Sequence, residues 1–189
     1  FAATLRGWWH AHTGWMLKVD PVEMLKHAGD LRRDKVAMWC DRHYWAWLAA
    51  GILLPGAIAF AISPGIHSLA TGALWGGFIR IFLVQHVTWS INSICHMYGK
   101  AAFDTRDQSR NNLICALLSF GEGWHNNHHA FPYSARHGLL PGQPDLTHWL
   151  LKVGSRIGAV SNMRVPRDEN IKGKVGCFSG LTPPASREA

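Results

Sequence analysis

Residues 44–62 read YWAWLAAGILLPGAIAFAI, nineteen consecutive positions without a charged side chain. A helix rises about 1.5 Å per residue, so this run would measure about 28 Å, close to the hydrocarbon thickness of a bilayer. Within that thickness every backbone N–H and C=O must find an internal partner, which makes a helix the conformation open to a single apolar segment. Pro55 interrupts the run, but proline is tolerated in such helices. A buried helix of a soluble domain is the alternative, and the length of the charge-free run weighs against it.

Residues 63–65, Ser-Pro-Gly, form a helix-breaking turn. A second segment follows at 69–95, LATGALWGGFIRIFLVQHVTWSINSIC, apolar except for Arg80 and a polar second half. Together the two segments predict a transmembrane helical hairpin over residues 44–97. Seven basic residues precede it (Arg6, Lys18, Lys26, Arg32, Arg33, Lys35 and Arg42), none lies in residues 63–68, and eleven follow Met97. Basic flanks face the cytoplasm, so both ends of the hairpin are expected there and the turn outside. The composition agrees: only 16% of the chain is charged, and it contains ten tryptophans.

Residues 1–43 mix Trp8, Trp9 and Trp15 with scattered charges, which predicts a helical segment at the cytosolic interface. Residues 98–165 would form a cytosolic cap, and the polar, Gly- and Pro-containing stretch 166–189 a flexible tail. The net charge of +7 is not gathered into an Arg/Lys-rich run interleaved with aromatics, and no nucleic-acid-binding motif occurs, so no nucleic acid is expected as a partner. Cys40, Cys95, Cys115 and Cys177 form no CxxC pair, which excludes a zinc ribbon or redox dithiol. The chain starts at Phe1 with no initiator Met and no signal-peptide pattern, and it reads as the interior of a longer protein.

The chemistry concentrates in residues 121–136, GEGWHNNHHAFPYSAR. His125, His128 and His129 are spaced i, i+3, i+4, which on a helix puts three imidazoles on one face, where they can converge on a metal. Upstream, Gln85, Trp89, Asn92 and His96 make a polar stripe on the second apolar helix. Polar groups at membrane depth normally face a site rather than lipid, so His96, with Asn92 one turn before it, is expected to point at the same metal. Asn92 as a hydrogen-bonding link between helices, and His96 as a structural polar residue, are the alternatives. No HExxH motif is present, and Glu122 with His125 makes the one Glu-x-x-His, too little for a carboxylate-bridged di-iron bundle.

The stretches TWSINSICHMYG (88–99) and GEGWHNNHHAFPYSARHG (121–138) resemble the C-terminal part of membrane fatty-acid desaturases of the acyl-CoA/acyl-lipid Δ9 type. RGWWHAHTGWML (6–17) is similar to the segment after that family's second histidine box, and the likeness covers roughly residues 5 to 165. It implies an all-α integral membrane fold, the C-terminal half of a four-transmembrane-helix enzyme with a cytosolic helical cap. It also implies oxygen-dependent desaturation of a CoA- or lipid-linked acyl chain at two non-haem irons. His96, His125, His128 and His129 would then be iron ligands, with Asn92 acting through water. No further catalytic residue is implied.

Thr88 and Trp89 would line the bend of an acyl tunnel, Arg6 would lie near the carrier's headgroup, and Glu122 or Asn126 would orient the ligating imidazoles. Electrons would come from a ferredoxin or cytochrome b5 type donor, because no haem or flavin fingerprint appears. Membrane lipid is the other partner, and a bacterial plasma membrane is expected ahead of the endoplasmic reticulum. The family's earlier HxxxxH and HxxHH boxes have no counterpart here, so the chain reads as a C-terminal fragment unable to assemble the two-iron centre alone. A related membrane hydroxylase, a zinc-dependent membrane hydrolase and a non-catalytic metal-binding protein remain as alternatives.

Overall fold

The computed structural model of the chain describes residues 2–18, 29 and 31–179. Expectations for Lys26 and for the last ten residues of the tail lie outside the described residues. The described residues are helical and contain no strand, only isolated bridges joining Lys100 to Asn111 and Asn111 to Trp124. They fall into two compact units, Thr13–His86 and the combination of Phe1–His12 with Val87–Ala189. This division departs from the expected one, because His12 is buried and bonded to Ser93 and so ties the first helix to the second half of the chain.

In the Thr13–His86 unit, α2 (Lys35–Arg42) is capped by the Asp34 carboxylate, which accepts from Val36 N and Ala37 N at 2.7 and 3.1 Å. α3 (Tyr44–Ile62) is the charge-free run. The chain turns at residues 63–65 and continues as α4 (Ile66–Gly72), a π-helical stretch (Ala73–Ile79), α5 (Arg80–Ser93) and a 3-10 turn (Ile94–His96). Tyr44–Ile62 and Ile66–His96 are both long and apolar enough to cross a membrane.

Small residues let α3 and the following helix approach closely. A Cβ on Gly72 would lie 2.6 Å from both the Ala59 Cβ and the Pro55 carbonyl oxygen, and one on Gly76 would lie 2.5 Å from the Pro55 Cβ. Where lipid is as apolar as the side chains, this close packing replaces the hydrophobic effect as the source of association. Arg80, the charge that interrupts the second segment, is satisfied by backbone: its Nε donates to Gly76 O at 2.7 Å and its guanidinium to Gly51 O at 3.0 Å. The π-helical turn shifts the local hydrogen-bond register just before Arg80, where Gly76 O serves as its acceptor.

The other unit contains α1 (Ala2–His12), α6 (Leu113–Leu118), α7 (His125–Ala130), α8 (Leu146–Arg156) and α9 (Asp168–Ser179). Its core gathers Phe103, Ala130, Phe131, Leu139 and Ile171. α9 corrects the expectation of a flexible tail from residue 166. Ile171 is buried in that core, and Lys174 donates to Ala130 O at 2.5 Å while its ammonium sits over the Phe131 ring. A single apolar side chain in a polar stretch carries too little sequence signal to announce this docking.

Replacing Gly72 with leucine should lower the unfolding temperature of the detergent-solubilised protein, since forcing a side chain into packed backbone costs about 1–3 kcal/mol. Gly7→Ala, at an exposed helical position with open space around it, should instead be neutral or mildly stabilising.

Candidate metal centre

α7 is six residues long and far too short to be stable by itself, so its neighbours must hold it. The two asparagines between its histidines supply that hold, and both are fully buried. Asn126 Oδ1 accepts from Ala102 N and Phe103 N at 2.8 Å, and its amide donates to Phe103 O and Thr105 Oγ1. Asn127 donates to His137 O and to Gln143 Oε1 and accepts from Asn111 Nδ2. Trp124, just before the helix, donates from its indole to Pro144 O at 2.7 Å. Gly123 presses so closely on α6 that a Cβ there would lie 2.1 Å from Ala116 N.

On this frame His125 Nε2 lies 3.0 Å from His96 Nε2 and 3.0 Å from His129 Nε2. One donor atom from each of the three falls within 4.8 Å of the others. His128 does not join them. Its ring centroid is 6.0 Å from that of His125 and 4.8 Å from that of His137. The cause is helical geometry: at about 100° per residue, positions i+3 and i+4 fall on opposite sides of position i, about 100° apart. The expectation that all three imidazoles share one point is thus corrected to a trio and a separate His128.

Asn92 separates from His96 in the same way. α5 ends at Ser93 and His96 stands in a tighter 3-10 turn, which rotates it out of the α-helical register of Asn92. Asn92 instead lines a cavity of about 290 Å³ with Thr88, Ile91, Glu122, His128 and His137, and His125 forms part of the same wall. His128 Nδ1 is buried against this region without a hydrogen-bond partner among protein atoms.

Glu122 is exposed and borders the cavity beside His125 and His128, and the Asn126 amide is spent on the 102–109 loop. The carboxylate that touches the cluster is Asp107, whose Oδ2 lies 2.5 Å from His129 Nδ1. A carboxylate only accepts, so Nδ1 carries the proton and His129 presents a lone pair at Nε2 when neutral. Burial works against ionisation of Asp107, yet hydrogen bonds from Ser109 and the neighbouring His129 outweigh it and hold the carboxyl below its ordinary range. Asp107 is 22 residues from His129, and no spacing rule in the sequence joins them.

His12 was also left unrecruited by the sequence. It is buried, stacks on Trp8 at 5.1 Å, packs edge-on to Trp89 at 6.0 Å, and stands 2.9 Å from Ser93 Oγ. Trp89 is therefore seated against α1, whereas Arg6 is exposed on that helix.

The electrostatics keep His125 neutral. Burial first, then the neighbouring imidazoles of His129, His96 and His128, pull His125 down to about 3, with Asp107 opposing. His128 is lowered by burial and by His137 and His129. Neutral imidazole is the metal-binding form. Two nitrogens each about 2.1 Å from one ion lie within about 4.2 Å of each other, and both His125 pairs, at 3.0 Å, meet that limit. Together with the orphaned His128 nitrogen and the carboxylate behind His129, the donor set fits a metal such as iron or zinc.

Between about pH 3 and the ordinary histidine value of 6.5, the unfolded chain takes up a proton at His125 that the folded chain refuses. Stability is therefore complete above 6.5 and falls as the pH drops below it. Thermal unfolding of metal-free protein should move to lower temperature from pH 7 downward, and His125→Gln should flatten that dependence. An unfolding temperature independent of pH across this window would contradict the burial of a neutral His125.

A family model described as fatty acid desaturase matches residues 1–157. The chain is 40% identical over 171 residues to a hex-5-enoyl-[acyl-carrier protein] acetylenase of Moorena producens, covering 90% of this chain and 53% of that protein. It is 38% identical over 172 residues to a chloroplastic palmitoyl-monogalactosyldiacylglycerol delta-7 desaturase of Arabidopsis thaliana, covering 87% and 43%. With an sn-1 stearoyl-lipid 9-desaturase of Synechocystis the identity is 34% over 175 residues, covering 89% and 51%. The chain spans about half the length of the curated relatives it matches. A matched family model over most of its residues, and a histidine cluster of metal-binding geometry within that match, place this chain in the fatty acid desaturase family.

Proposed function

We propose that this chain is the C-terminal part of an integral membrane desaturase that introduces a double bond, at the Δ9 position, into a fatty acyl chain in an oxygen-dependent reaction. The observation that carries the proposal is the convergence of His96, His125 and His129 at the end of a membrane-length helix. In the proposed enzyme these three would hold one of two non-haem irons, and His128, with Asn92 acting through water, would be a ligand of the other. The remaining ligands would come from a preceding segment that completes a four-helix bundle, with the histidines on the cytoplasmic side of a bacterial plasma membrane. Iron, when bound, supplies the oxygen-dependent redox chemistry needed to remove hydrogen from an unactivated methylene.

The chain's own residues set the conditions for that chemistry. Asp107 fixes the proton of His129 on Nδ1, so that Nε2 is free to bind. Asn126 and Asn127 pre-position the helix by fastening it to flanking loops, so little rearrangement is needed on metal binding. Thr88 and Asn92 border the cavity beside His128, where a methylene could be presented, and Trp89, seated on His12, would set the bend of the acyl path. Arg6 would meet the polar end of the carrier. The names of three relatives, the acetylenase, the stearoyl-lipid desaturase and an acyl-CoA C20 Delta5-desaturase of Anemone leveillei, span acyl-carrier protein, lipid and CoA carriers, and each gives an acyl substrate. This supports an acyl chain as the substrate, on a CoA or lipid carrier in our reading. A ferredoxin or cytochrome b5 type protein would supply electrons.

Fatty acid analysis of cells expressing the full-length protein tests the proposal. A monounsaturated product that disappears in His125→Ala is expected. A hydroxylated product would favour the hydroxylase reading, and no oxidised product would contradict both. Asp107→Asn should weaken metal binding about 10–100-fold, read by chelator competition, because the imidazole behind it loses its orienting acceptor.

A further inference from the structure

α6 and α8 turn their large apolar side chains outward. In α6 the buried residues are Cys115 and Ala116, while Ile114 is 70% exposed, Leu118 61% and Leu117 58%. α8 keeps His148, Leu151 and Gly154 half-buried and leaves Trp149, Leu150 and, at its C-terminal end, Ile157 exposed. A helix of a water-facing cap shows the opposite pattern, with polar residues outward. Contiguous exposed apolar surface of this kind marks a contact with something apolar.

The two helices are fixed to each other. Thr147 N donates to Phe120 O at 2.9 Å, and the Asp145 carboxylate that caps α8 packs against Gly121, just beyond α6. Phe120 itself is exposed and continues the apolar surface between them. On its inner side α6 meets the end of the second membrane-length helix, through a cluster of Ile91, Cys95 and Cys115. Neither α6 nor α8 contains an acidic residue, and α8 presents exposed Lys152 and Arg156. Long basic side chains beside an apolar stripe with a tryptophan are the composition of a helix lying in a lipid interface.

We infer that α6 and α8 lie in the plane of the membrane interface, with the bilayer as the occupant of their shared apolar face. The inference rests on the proposed membrane insertion of the two long helices and adds that the segment behind the histidine cluster is lipid-seated rather than surrounded by water. Such seating would hold the metal centre at the headgroup level, next to the ends of acyl chains.

Fluorescent labels at Leu117→Cys and Leu150→Cys test this in nanodiscs of mixed phosphatidylcholine and phosphatidylglycerol. Cys40 and Cys177 are replaced by serine, the buried Cys95 and Cys115 are kept, and Ile58→Cys and Lys172→Cys serve as span and water-facing references. Labels at 117 and 150 should be quenched several-fold more by shallow doxyl lipid than the label at 172, and several-fold less by aqueous iodide. Iodide quenching at 117 and 150 equal to that at 172, with 58 still lipid-quenched, overturns the inference alone. Protection from both quenchers overturns it in favour of a protein occupant such as a second copy. Iodide access at 58 overturns the membrane reading beneath it, and the inference with it.

Discussion

His125 Nε2 stands 3.0 Å from both His96 Nε2 and His129 Nε2, an arrangement that suits a cation, since His129 keeps a proton on Nδ1 toward Asp107 and can turn a lone pair at Nε2 toward the other rings. Much of the Val87–Ala189 half is organised around that contact. Asn126 and Asn127 give every polar atom of their amides to the loops beside α7. Gly123 allows α7 to begin hard against α6, and Asp107 dictates which nitrogen of His129 is free. Burial then keeps His125 neutral, so that this imidazole is in its metal-binding form at neutral pH.

The membrane half follows from a different constraint. α3 and the helix after it cannot gain association from burying apolar surface in lipid, so they pack through Gly72, Gly76 and Gly77 against Pro55 and Ile52. Arg80 is tolerated because two carbonyls receive it.

What was legible in the sequence is what local periodicity records. The charge-free run gave the first long helix, and the Ser-Pro-Gly turn gave the hairpin. The spacing of His125, His128 and His129 marked ligand-type residues, but a 3.6-residue helix separates i+3 from i+4, and so the sequence pattern overstated their convergence. The polar stripe drew attention to His96, which the structure brings beside His125 and His129, while the 3-10 turn that parts it from Asn92 leaves no composition signal. Asp107, His12 and His137 were missed because each reaches its partner through a loop or across a long sequence gap. Asn126 was read as a partner of the imidazoles when its position between them makes it a fastener of the helix instead. The docked helix α9 hid in a polar stretch whose single buried apolar anchor is Ile171.

The central claim is that His96, His125 and His129 bind one metal together. X-ray absorption at the iron edge, on the chain loaded anaerobically with ferrous iron, tests it most directly. The account predicts imidazole scattering that weakens in His96→Ala and in His125→Ala but is unchanged in His10→Ala, a histidine exposed on α1. Coordination by oxygen alone, or imidazole scattering indifferent to the first two substitutions, would contradict it.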